Sequence, residues 1–77
     1  MTIESLLSPV LGNIGRPFEA DDCPETINGW DSIKQLEIIV AIEDGCHVEL
    51  TTAEILRLKS IGAIVDILHK RGVEISL

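Results

Sequence analysis

Aromatic side chains are nearly missing from this 77-residue sequence: Phe18 and Trp30 are the only two, and there is no tyrosine. Any core must therefore be aliphatic, built from the abundant isoleucine and leucine. Long hydrophobic runs are also missing. None approaches the roughly 18 apolar residues that a membrane span needs, which excludes a membrane partner of that kind. The opening "MTIESLL" lacks the basic region of a secretion signal, so a cytoplasmic protein is expected. Two cysteines, Cys23 and Cys46, are too few for a disulfide framework, and a reducing compartment keeps them as thiols. Basic residues are scarce as well, with six against thirteen acids and a formal charge of −7. Such a balance repels phosphate backbones and disfavours nucleic acid as a partner. It steers the chain toward basic protein surfaces, besides keeping a small protein soluble.

What remains is a single domain, residues 1–77, with 45% apolar residues and a small core. Pockets that enclose a substrate typically need about 300 Å³ or more. A chain this short is poorly suited to wall one off, so a free-standing enzyme is not expected. The acidity is uneven. Residues 1–49 carry ten acids against Arg16 and Lys34; residues 50–77 carry three against Arg57, Lys59, Lys70 and Arg71.

The hydrophobic pattern is helical throughout. Thr2 is placed to cap a first helix whose stripe is Ile3, Leu6, Leu7, Val10 and Leu11. Pro9 lies inside that stripe and predicts a kink or an early stop. Residues 13–30 hold many Gly, Pro, Asn and Asp and no helical period. They read as a long loop, pinned by Phe18 and Ile27. A second helix starts at Asp31 or Ser32, and Ser32 with Gln35 fits an S-x-x-Q capping box. Gly45 is the natural stop after Asp44. Thr51 and Glu54 form another capping pair before a short third helix. Ser60 then opens a fourth, striped by Ile61, Ile64, Val65 and Leu68 and closed by Gly72. Alternation in "CHVEL" and "VEISL" is too brief to support a sheet. The expected fold is all-α: a small four-helix bundle with a long loop between helices 1 and 2 and a short third helix.

At 100° per residue the second helix has two characters. Gln35, Ile38, Ile39 and Ile42 share one side, the expected core face. Ile33, Glu37, Val40, Asp44 and, at the edge, Ala41 lie roughly opposite; Leu36 and Glu43 fall on the boundary. The mixed side either extends the buried stripe or forms a docking strip, apolar at its centre and acidic at its rim.

Ser32 in "GWDSIKQLEIIVAIED" is open to three readings: a helix cap, a nucleophile, or a hydroxyl that receives a group. A nucleophile needs a base within hydrogen-bond reach. His47 would lie about 22 Å away along a continuous helix, His69 belongs to the far end of the fourth helix, and there is no G-x-S-x-G elbow. Cys23, Cys46, His47 and His69 match no zinc spacing, so no resident metal is expected. Cap and acceptor remain, and a helix N-terminus tolerates a phosphodiester through its free N–H groups and dipole.

The stretch "GWDSIKQLEIIVAIED" resembles the D-S-L region of the acyl carrier proteins, the small acidic four-helix carriers of fatty-acid and polyketide assembly. The similarity continues through "VELTTAEILRLKSIGAIVDIL" and covers roughly half the chain. It implies that Ser32 carries 4'-phosphopantetheine, delivered from coenzyme A by a phosphopantetheinyl transferase. It assigns Asp31 to that transfer through a metal ion and Ile33 to the exit of the arm. Glu37, Val40 and Asp44 match the partner-recognition helix, with Ala41 beside them, while Ile38, Ile39 and Ile42 match core positions. Lys34 stands where many fatty-acid carriers have an acid, and Cys46 where they usually have a large aromatic residue.

The sequence therefore leads to a discrete, monomeric, non-catalytic acyl carrier. Its expected partners are the transferase and acyl- or aminoacyl-loading and synthase enzymes with basic docking surfaces. The alternative is an unmodified acidic helical adaptor for a basic partner.

Overall fold

Thr2 opens the first helix through a reciprocal cap. Its hydroxyl accepts the Ser5 N–H at 3.1 Å, and the Ser5 hydroxyl accepts the Thr2 N–H. In the computed structural model, which describes residues 1–77, four helices follow in order. They are α1 (Ile3–Leu11), α2 (Ser32–Cys46), α3 (Thr52–Leu56) and α4 (Ile61–Lys70). No strand forms, and the chain folds as a small helical bundle. Its radius of gyration, 11.2 Å, is close to the roughly 11.5 Å expected of a compact domain this long.

Pro9 does not stop α1. The helix runs two residues further, and Gly12 ends it at φ 74° with its N–H on the Ser8 carbonyl. Pro9 withholds its own N–H from the helix ladder, and the buried Leu6 and Leu7 in the turn just before it hold the helix against the core.

Gly45 does not end α2 either. The helix continues to Cys46, and His47 takes the left-handed terminal position at φ 55°, its N–H on the Glu43 carbonyl. Gly45 instead serves close packing: a Cβ there would lie 2.8 Å from Leu6 Cδ1 of α1. The glycine is a contact between two helices.

The core is mainly aliphatic, as the composition leads one to expect, with both aromatic residues added to it. Ile3 and Leu7 of α1, Ile38 and Ile42 of α2, and Ile61, Ile64 and Leu68 of α4 are almost wholly buried. The segment between α1 and α2 contributes Phe18, Ile27 and Trp30 to the same core. That segment is also tied down by a buried carboxylate, Asp22. Arg16 reaches both its oxygens (2.7 and 2.8 Å), and the Glu19 N–H and Thr26 hydroxyl add two more bonds. The Arg16 guanidinium holds the Asp22 carboxyl far below the usual carboxylate range, against the opposing effect of burial.

The backbone at Asp22 and Ala20 then meets the start of α4. Their carbonyls accept the N–H groups of Ile61 and Gly62 at 2.9 and 2.8 Å. Gly62 makes this approach possible, because a Cβ would stand 2.9 Å from the Ala20 oxygen. Ser60 caps the same helix end through the Ala63 N–H.

α3 has no buried residue and is held at its ends. Thr51 and Glu54 cap it reciprocally. Arg71, just beyond α4, clasps both oxygens of Glu54 and also reaches the Glu49 carbonyl. The "VEISL" tail packs against the bundle: Ile75 is buried, the Ile3 N–H donates to Ser76, and Ser76 donates to Met1. No helix is long and apolar enough to cross a membrane.

Candidate functional site around Ser32

The turn at Gly29, with φ 90°, brings the chain to Trp30 and then to the start of α2. Asp31 adopts extended backbone and caps the helix, Oδ1 accepting the Lys34 N–H at 2.9 Å. The S-x-x-Q box read from the sequence therefore does not form. Ser32 is the first helical residue, one position too late to cap, and its side chain is exposed. The cap meets the Lys34 N–H, and the Gln35 N–H is the first to bond within the helix, to the Asp31 carbonyl. The N–H groups of Ser32 and Ile33 remain at the open end, beside the positive end of the helix dipole.

Gln35, freed from the box, does something else. Its Oε1 accepts the Trp30 indole N–H at 2.7 Å, and its Nε2 donates to the Leu58 carbonyl at 2.9 Å. One side chain thus fastens the residue before the cap to the connection between α3 and α4. Both Trp30 and Leu58 are buried. This link was missed in the sequence, although a signal existed: Gln35 is the polar member of the Ile38, Ile39 and Ile42 face. A polar group on a core face needs partners.

A groove of about 540 Å³ opens beside Ser32. Trp30, Ile55, Leu56 and Leu58 give it apolar walls, and Glu25, Asp31 and Lys59 stand at its rim. It is open to solvent rather than enclosed. These features fit a phosphopantetheine group. The hydroxyl is exposed, unpaired N–H groups lie beside it to meet a phosphodiester, and an apolar-walled groove adjoins it for an extended arm.

The two sides of α2 are now distinct. Ile38 and Ile42 are fully buried, with Ile39 and Gln35 half-buried. On the other side Ile33 is 70% exposed, Leu36 64% and Val40 55%, far more than a buried stripe allows. Ala41 is half-buried at the edge. Val10 of α1 joins Leu36, Val40 and Ala41 in a shallow groove of about 380 Å³. Glu37 and Asp44 are exposed around this strip, but unequally free: Lys34 Nζ lies 3.2 Å from Glu37, whereas Asp44 enters no ion pair. Glu43 turns inward to accept the Leu50 N–H.

None of the remaining candidates lines the groove beside Ser32. Cys23 and Cys46 are half-buried free thiols, and burial raises the Cys46 thiol above its ordinary value. His47 forms the end of α2, and His69 bonds the Ile75 carbonyl at 2.7 Å.

Residues 29–68 match the family described as a phosphopantetheine attachment site. That span runs from the turn before Trp30 through most of α4 and covers more than half of the chain. Comparison with curated proteins gives no match.

Proposed function

Since the chain belongs to the phosphopantetheine attachment site family, we propose that it is an acyl carrier whose attachment point is Ser32. Domains of this family carry a covalently attached 4'-phosphopantetheine; they are typically carriers rather than catalysts and generally work with modifying and synthase enzymes. The observation that carries the assignment to Ser32 is its position. It is an exposed hydroxyl at the first residue of α2, inside the matched span, with the capping duty taken by Asp31.

Each residue has a definable part. Ser32 supplies the oxygen that attacks the pantetheine-bearing phosphorus of coenzyme A. The pyrophosphate P–O bond breaks to release adenosine 3',5'-bisphosphate, and the transferase supplies the base that takes the hydroxyl proton. Asp31 holds the first turn rigid with Oδ1, leaving its second oxygen to a metal ion of the transfer reaction. The Ser32 and Ile33 N–H groups receive the phosphodiester charge. When bound, the arm supplies a thiol that holds acyl or aminoacyl groups as thioesters. Tethering then raises the effective concentration of cargo at each partner active site. Ile33, Leu36 and Val40, ringed by Glu37 and Asp44, present an apolar patch with an acidic rim to basic partner surfaces. Fatty-acid, polyketide or a related specialised biosynthesis is the setting proposed for such a carrier.

Co-expression with a phosphopantetheinyl transferase and coenzyme A, followed by intact mass measurement, tests the assignment. The wild type should gain one phosphopantetheinyl group and Ser32→Ala none. No gain in the wild type favours an unmodified adaptor, and an equal gain in Ser32→Ala moves the attachment elsewhere.

A further inference from the structure

We propose that Gln35 sets the class of cargo this carrier holds: acyl groups short or polar enough to remain in the open groove, outside the core. The proposal builds on Ser32 as the attachment point.

Gln35 lies one turn along α2 from Ser32 and lines the same groove. Both ends of its amide are engaged, by the Trp30 indole at 2.7 Å and the Leu58 carbonyl at 2.9 Å. Trp30 is 4% exposed and Leu58 2%, while Gln35 between them is half-buried, so the bridge forms a partly shielded floor of the groove. Further along the same face of α2 stand Ile38 and Ile42, both fully buried. An apolar chain passing from the groove into that core, between α2 and the Ile55–Leu58 segment, must part both hydrogen bonds. The indole N–H, the amide and the carbonyl would then be buried beside hydrocarbon with no partner, a penalty that opposes insertion. A short or polar acyl group meets no such barrier. It lies against the apolar walls with its own polar atoms toward Glu25, Lys59 and water. Gln35 acts here as a positioning residue, through Trp30 and Leu58.

Two measurements decide the matter. In the first, the unloaded chain is titrated with free octanoyl-pantetheine while backbone amide shifts are followed. The wild type should show no saturable shift at Ile38, Ile42 or Ile64; Gln35→Ala should show one. Gln35→Met, which removes both hydrogen bonds at nearly constant side-chain volume, is the second variant and should shift in the same direction. In the second, Tm is compared between the octanoyl-loaded and unacylated phosphopantetheine forms. The two should coincide for the wild type, and the octanoyl form of Gln35→Ala should melt about 4 °C or more higher. Saturable core shifts in the wild type overturn the proposal, as does their absence in both variants. Intact mass reports separately whether Ser32 is loaded, and the titration does not depend on loading.

Discussion

Asp31 Oδ1 accepts the Lys34 N–H at 2.9 Å, and that bond is what releases Ser32 from the helix cap. The two residues have separate duties as a result, and substitution separates them. Ser32→Ala should change stability by less than about 0.5 kcal/mol, as an exposed position outside any packed contact does. Asp31→Ala should cost about 1 kcal/mol, and Asp31→Asn far less, because asparagine caps nearly as well. Urea denaturation followed by circular dichroism measures all three. Equal losses for Ser32→Ala and Asp31→Ala would return the cap to the serine.

Charge on the exposed side of α2 is unequal, so docking should respond unequally. Lys34 already pairs with Glu37 at 3.2 Å, while Asp44 enters no ion pair. Asp44→Lys should therefore raise the KM of a partner enzyme for the loaded carrier by about tenfold at low salt, and Glu37→Lys by less. Both effects should shrink as salt rises. Circular dichroism should remain unchanged, since neither side chain is buried. Unchanged KM for both variants would remove the acidic rim from docking.

Two glycines inside helices should behave differently when replaced by alanine. At Gly62 the new methyl group meets the Ala20 backbone oxygen at 2.9 Å, which also accepts the Gly62 N–H. The loop cannot give without losing that bond, so Gly62→Ala should cost about 1–3 kcal/mol. At Gly45 the obstacle is Leu6 Cδ1, the far end of a flexible side chain. Alanine also gains nearly 1 kcal/mol of helix propensity there. Gly45→Ala should end within about 1 kcal/mol of the wild type, as chemical denaturation would show.

Acid should loosen the bundle through two carboxylates. Arg16 lowers Asp22 from its ordinary value, and Arg71 lowers Glu54 to about 2. A depressed carboxylate stabilises the fold above its unfolded pKa, and that contribution is lost as pH falls toward its folded value. Stability should be level near neutrality and decline from about pH 5 to pH 2. Asp22→Asn should flatten the decline and, by breaking the buried pair, lower stability at pH 7 by about 2–3 kcal/mol. A decline as steep in Asp22→Asn as in the wild type would show that other groups govern the acid response.

The sequence by itself determined the helical fold class, because the apolar stripes at 3.6-residue spacing are local. It also determined the Thr2, Thr51 and Ser60 caps, whose partners lie three residues away. The family span around Ser32 was legible for a similar reason, being carried by one continuous stretch. Only the tertiary structure decided how residues far apart use one another. Gln35 abandons a local box for Leu58, 23 residues on. Gly45 continues α2 because Leu6 needs its space, and His47 takes the terminal turn instead. Pro9 stays inside α1 because core contacts outweigh one missing hydrogen bond. The exposure of Ile33, Leu36 and Val40 was likewise undecided until the helices took their places. A stripe records which residues share a face, and only the packing of neighbours decides whether that face is covered.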